Sequence, residues 1–236
     1  MQLSLSKIQK RRKRFLICFS GVDGSGKSRH AKSLLDYLSN QGYSCSYVWG
    51  GIKFLLSYFF YGLTWLLGYW TKLKIEDRYS IDPLGLAPKN LRKKFLVLFR
   101  FFIFLDIQIN ISVKVRMPLI FGKVVICDRY IYDVITSSMV ADLFTKSFSN
   151  ILFQTTPTPQ LSFLTDTSTE VLYARRCIPM HILDKKRKAY LDLEYFKDFF
   201  ILDTSTDFER NQQKVRRLSL LCLKREQELC HEGKMR

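Results

Sequence analysis

Residues 21–28 read GVDGSGKS and fit the spacing GxxxxGK[ST], with Gly21, Gly26, Lys27 and Ser28 at the fixed positions. Phosphate chemistry needs that spacing. A glycine-rich turn points several backbone N–H groups at one anion, because glycine accepts positive φ and close approach. Lys27, expected to be exposed in the loop, would reach the outer phosphates of ATP, and the Ser28 hydroxyl would take one position on Mg²⁺. Gly21, Val22, Asp23, Gly24, Ser25, Gly26, Lys27 and Ser28 therefore form the expected ATP-binding segment. A helix starting here would present its positive N-terminus to the same phosphates. A glycine-rich turn that binds nothing has a similar sequence, so the flanking elements decide.

Two further groups carry charge. GKVVICDRY (Gly122–Tyr130) is an apolar run ending in Asp128 and Arg129. Phosphoryl transfer is catalysed mainly by positioning and by cations that neutralise the moving group, and Lys27, Arg129 and a mobile arginine would supply them. The alternative for Asp128–Arg129 is a strand-end ion pair of little energetic value. Arg175 and Arg176 end a helical stretch ahead of Pro179, in RRCIPMHILDKKRK (175–188). That segment is read as a short lid loop bringing an arginine, whose planar fork matches phosphate, to the site. The alternative is that both arginines solvate a helix end, where the dipole favours cations.

The elements that would position these groups follow from periodicity. Phe15–Ser20 is a buried strand, and Ala31, Leu34, Leu35 and Leu38 recur at helical spacing before a stop at Gly42. A second strand is expected over Tyr43–Trp49, then an apolar stretch Phe54–Trp70, a polar loop with Pro83 and Pro88, and an apolar helix from about Leu91 to Val115. Gly122–Tyr130 and Gln160–Asp166 are strands, each followed by a helix, and the second of these helices, Thr169–Arg176, breaks at Pro179. LDKKRKAYLDL resumes as helix, FFILD is a short fifth strand, and Phe208, Val215, Leu218 and Cys222 mark a last amphipathic helix. Unbroken apolar strands alternating with helices imply an α/β domain whose parallel sheet is covered on both faces. Ligands in such sheets bind beyond the carboxyl ends of the strands, where the loop, Asp128, Arg129 and Asp166 all fall.

FLICFSGVDGSGKS, GKVVICDRY and RKAYLDL…FFILDTSTDFE together resemble, in order and rough spacing, the thymidylate kinase family over most of residues 15–215. The resemblance implies a P-loop nucleoside monophosphate kinase fold with a five-stranded parallel sheet. It also implies that Asp23 contacts the acceptor's sugar hydroxyl, that Asp128 lies near Mg²⁺ and its waters, and that Arg129 holds the acceptor phosphate. The expected activity is ATP- and Mg²⁺-dependent transfer to a nucleoside monophosphate, dTMP to dTDP. The alternatives are a kinase of this fold with another small-molecule acceptor, and a nucleotide-binding, membrane-associated regulatory protein. The chain departs from the family in the substrate-reading half. VWGG (Val48–Gly51) replaces an Arg-Glu-Pro-Gly segment, and Ser137 and Ser138 replace a Tyr-Gln pair. The base-reading helix, FRFFIFLDIQIN, offers Arg100, Asp106, Gln108 and Asn110, of which Arg100, Gln108 and Asn110 are taken with Asp23 and Arg129 as the acceptor-binding set. Gly24 stands where some members carry a catalytic arginine, so that charge must come from elsewhere, and Arg175 and Arg176 are the expected source.

Composition bounds these readings. With 236 residues and 47% hydrophobic content the chain fits one well-buried domain, spanning 15–236 after a basic segment 1–14, with an apolar helical insertion at about 52–115. The net charge of +17 suits polyanions, and small nucleotides rather than nucleic acid are the expected partners. Charge runs such as KIQKRRKR are usually solvated faces. The cysteines show no CxxC pair, and no apolar signal region leads the chain, so reduced thiols and a cytoplasmic setting are expected. Phe54–Trp70 carries no charge. A single membrane span there would split one sheet across a bilayer. A spanning hairpin would have to translocate Lys72, Lys74, Arg78, Lys89, Arg92, Lys93 and Lys94, and would bury Arg100 and Asp106 in lipid. The expected arrangement is a helical hairpin packed against a partner subunit in a homodimer, with shallow membrane contact as the second choice.

Overall fold

The computed structural model describes residues 14–51, 55–75, 78–82, 85–140, 143–176, 178–192, 198–205 and 207–232. The basic run before Arg14 therefore lies outside the described residues.

Every residue of β1 (Phe15–Gly21) and of β5 (Val124–Asp128) is buried. Strands that are apolar on both faces belong in the middle of a parallel sheet. With β2 (Cys45–Trp49), β6 (Leu161–Asp166) and β7 (Phe200–Asp203) they form a five-stranded sheet in the order β2-β5-β1-β6-β7, every pair parallel. Alternation along β1 feeds two cores. Phe15, Ile17 and Phe19 meet Leu34 and Leu38 of α1 (Lys27–Asn40) and Val215 of α9 (Phe208–Glu232). Leu16 and Cys18 meet Ile103 and Ile107 of α3 (Lys89–Ile111), Ile135 of α5 (Ile131–Val140) and Leu152 of α6 (Lys146–Gln154). The molecule is thus α/β, with helices on both faces of one parallel sheet. Cys18 and Cys127 lie side by side in register, buried and without a disulfide, and burial pushes the Cys18 thiol up to about 12.

The differences from the sequence reading have local causes. Tyr43 N–H closes α1 on the Leu38 carbonyl at 3.1 Å, so β2 starts later than Tyr43. The stretch after α2 (Leu56–Leu66) is not all loop: β3 (Thr71–Ile75) and β4 (Arg78–Asp82) pair as an antiparallel hairpin. The α3 helix continues through a π-turn at Ser112–Arg116 into α4 (Met117–Ile120), a widened turn that ends two positions before Pro118, which lacks an N–H. The expected lid loop is a correction: beyond α7 (Thr169–Arg176), residues 180–192 form helix α8 (Met180–Asp192). Pro179 opens that helix by accepting the Ile182 and Leu183 N–H groups, and Leu183 and Tyr190 bury its inner face.

Helix α2 has no capping side chain of its own. Asp106, reaching across from α3, supplies one. Its carboxylate accepts from Leu55 N at 3.1 Å, Leu56 N at 2.9 Å, Ser57 N at 2.8 Å and Ser57 Oγ at 2.6 Å. An anion at a helix N-terminus satisfies both the orphan N–H groups and the dipole. Burial works to raise the Asp106 carboxyl, but the Ser57 hydroxyl and the three N–H groups outweigh it and hold the group below 3.8. We expect Asp106→Ala to cost about 3 kcal/mol, because it strands several buried donors. A depressed carboxylate stabilises fully above its unfolded value and loses that contribution as pH falls. The gap in Tm between wild type and variant should therefore be constant near neutrality and narrow below pH 3.8. A thermal-unfolding series across pH checks this.

Candidate functional site

The strands β1, β5 and β6 end at one edge, on Gly21, Asp128 and Asp166. The glycine-rich loop leaves β1 there and enters α1. Gly21 is required by close approach: a Cβ would run into the Thr165 carbonyl on β6. Gly24 has φ of 95°, and a Cβ there would lie 2.9 Å from Arg176 Cγ. Arg175 Nη1 donates to the Gly24 carbonyl at 3.0 Å. Both arginines therefore lie over the loop, carried by the end of α7.

Lys27 needs a correction. It is not exposed: it is 4% accessible, and its Nζ donates to the Gly21 carbonyl at 2.6 Å and the Val22 carbonyl at 2.9 Å. Burial lowers its pKa, against the pull of Asp133 and Asp23. Ser28, one residue on, is exposed.

Asp133 is the site residue that motif reading misses. It is buried in the first turn of α5 and joins four segments. Oδ2 accepts from Ser20 Oγ at 2.8 Å and Tyr130 N at 3.0 Å, while Oδ1 accepts from Gly21 N at 3.3 Å and the Tyr190 hydroxyl at 2.9 Å. Burial raises its pKa, partly offset by Lys27. The available signal was a carboxylate between Ile131 and Ile135 on a helix with no other charge.

The sequence-derived cations and acids do converge. Arg129 Nη2 donates to Asp23 Oδ1 at 2.5 Å, and Lys186 of α8 lies 3.6 Å from Asp23 Oδ2. Burial would raise the Asp23 carboxyl, but Arg129, Lys27, Lys186 and Arg176 hold it below its ordinary value. Arg129 has φ of 71°, uncommon for a side-chain-bearing residue. Gly50 rides against that turn, since a Cβ on it would strike the Arg129 carbonyl. Asp128 is 1% accessible; its Oδ2 accepts the Tyr47 hydroxyl at 2.7 Å, while its buried Oδ1 has no hydrogen-bond partner. A carboxylate oxygen left without a donor beside a cation-rich loop suits a hard cation or its water. Arg187 fastens α8 to the same edge through both oxygens of Asp166, at 2.7 and 2.8 Å.

A cleft of about 220 Å³ opens here, lined by Asp23, Gly50, Arg129, Asp133, Ser138 and Lys186 among others. Of the residues expected to read an acceptor base, neither Arg100 nor Gln108 lines it. Arg100 Nε donates to the Leu143 carbonyl at 2.9 Å, and Gln108 bonds Thr155 Oγ1 at 2.8 Å and Arg116 at 3.3 Å. Asn110 lines a separate apolar recess of about 30 Å³ that shares Gly50, Gly51 and Val134 with the cleft. Chemically, the arrangement offers two cations, Arg129 and Lys186, at the cleft, with Lys27 and one unpartnered carboxylate oxygen of Asp128 buried at the same strand edge.

Asp133→Asn should be more damaging than its near-identical shape suggests. Each carboxylate oxygen faces a backbone N–H, so the amide NH₂ must oppose a donor whichever way it turns. The expected loss is about 2 kcal/mol or more, read as a lower Tm.

Compared with models of known protein families and with curated proteins, the chain matches none.

Proposed function

We propose that the protein is a phosphotransferase of the P-loop nucleoside monophosphate kinase type, using ATP and Mg²⁺, with dTMP as the leading acceptor. The observation that carries this reading is that the start of the 21–28 loop, Arg129 and Lys186 line one cleft, while Arg175 bonds the Gly24 carbonyl of the same loop. A hydrolytic switch has no need of an arginine aimed at a second phosphate.

In this reading the loop N–H groups and the N-terminus of α1 bind the donor's phosphates. Lys27 exchanges its two carbonyl partners for phosphate oxygens, a short movement of a long side chain. Arg129 binds the acceptor phosphate, and Asp23 both orients Arg129 and meets the acceptor's sugar. Arg175 and Arg176 neutralise charge that develops on the transferred group, an electrostatic contribution that needs fixed donors in a dry site. Ser28 and Asp128 would hold Mg²⁺, which spreads the negative charge of the phosphates. A cytoplasmic setting fits the ATP requirement and the two buried thiols.

A second reading, transfer to a different small acceptor, is favoured by one observation. Arg100 and Gln108 are engaged with Leu143, Thr155 and Arg116, and small Ser137 and Ser138 line the cleft. The discriminating measurement is ADP release from ATP and Mg²⁺ with a panel of monophosphates. Stimulation by dTMP supports the first reading, stimulation only by another compound the second. ADP release that no acceptor changes would point to the regulatory alternative.

Lys27→Ala should lower turnover on the order of a hundredfold or more. Because Lys27 is buried beside Asp133, a modest fall in Tm should accompany it. Arg175→Ala and Arg176→Ala should each leave ATP binding nearly unchanged, and at least one should cut turnover tenfold, about 1.4 kcal/mol of transition-state stabilisation. Unchanged turnover in both would move the role to Lys186 or out of this region.

A further inference from the structure

The α2 helix is turned inside out. Its serine and threonine point inward, Ser57 to the Asp106 carboxylate and Thr64 to the Trp70 indole N–H at 3.0 Å. Apart from Phe60, which is buried, its large apolar side chains lie mostly outward: Leu55, Phe59, Trp65 and Leu66 are 71%, 70%, 65% and 76% accessible. A helix on the surface of a water-soluble domain shows the opposite arrangement. The face continues onto α3. Phe59 lies 6.4 Å from Phe102, whose ring is 5.8 Å from that of exposed Phe101. Contiguous exposed apolar surface of this kind marks a contact with a partner or a membrane.

We propose that this face of the α2–α3 hairpin docks on an anionic lipid surface. Charge selects the occupant. No residue of α2 is charged, and the exposed first turns of α3 carry Lys89, Lys93 and Lys94 just ahead of the apolar strip Val97, Leu98 and Phe101. Across residues 52–120 there are eleven lysines and arginines against four acids, and one of those acids, Asp106, is buried in the helix cap. Basic residues beside exposed Trp, Tyr and Phe are the chemistry of an interfacial helix. A second copy of the chain docked symmetrically on this face would bring the same lysines together. The docking is flat and does not span. The continuous helix Lys89–Ile120 is long and apolar enough to cross a membrane, but Phe99, Ile103, Ile107 and Ile111 fasten its other side into the sheet's core. The cleft stays near the surface, because Gly51 on its rim is four residues from Leu55, at most about 14 Å of chain.

The test is co-sedimentation of the full chain with vesicles of phosphatidylcholine alone and of phosphatidylcholine with phosphatidylglycerol, at low and high salt. Sedimentation velocity without lipid runs alongside. The expected result is binding to the anionic vesicles, weakened by salt and absent from neutral ones. Lys93→Ala and Lys94→Ala, both exposed and outside the packing, should each weaken partitioning about fivefold. Phe59→Glu should abolish it, with Tm as the check on folding. If Phe59→Glu lowers Tm sharply, the lysine variants alone decide. Failure to bind anionic vesicles, or equal binding to both kinds, overturns the proposal. A lipid-free dimer that Phe59→Glu dissociates assigns the face to a second copy instead. None of these readouts depends on catalysis, so they stand apart from the assigned activity.

Discussion

Burying a carboxylate costs several kcal/mol unless donors and a cation replace its water, and Asp133 is buried at the centre of the strand ends. It persists because each of its oxygens takes one backbone N–H and one hydroxyl, and because Lys27 lies nearby. Those donors come from the end of β1, the start of the glycine-rich loop, the turn after β5 and helix α8. A group that must keep all of its donors leaves little freedom to the segments that provide them. The loop, the Arg129 turn and α8 are therefore held in one mutual geometry before any ligand arrives, which is what preorganised electrostatics requires.

Around that anchor the charges are layered. Asp133 and the loop carbonyls hold Lys27 inward, while Asp23 gathers Arg129 and Lys186 at the mouth of the cleft. Arg187 and Asp166 fix α8 at its flank. Lys27, Arg129, Arg175 and Lys186 each have an internal partner to return to when no anion is bound.

The sheet was legible because strands buried on both faces leave unbroken apolar runs. The exposed position read for Lys27 failed because a long side chain can fold back onto carbonyls of its own loop, which no spacing reveals. Asp133 was hidden because it acts through backbone N–H groups, and these leave no trace in side-chain patterns. The lid was read as a loop because Pro179 was treated as a breaker, whereas a proline at the start of a helix opens it. Arg100 and Gln108 have suitable chemistry on a suitable helix, yet tertiary contacts to Leu143 and Thr155 turn them elsewhere. The Asp106 cap of α2 joins residues about fifty positions apart and could be found only once the helices were packed.

A Cβ at position 24 would lie 2.9 Å from Arg176 Cγ, so a side chain there would displace that arginine. The two positions therefore compete for one volume above the loop. A lineage could carry its arginine on the loop or on the helix, but a change at either place would force a change at the other. Glycine at 24 then answers two demands at once, the positive φ of the turn and the room taken by a cation carried on α7. Substitutions at positions 24 and 176 should be inherited together.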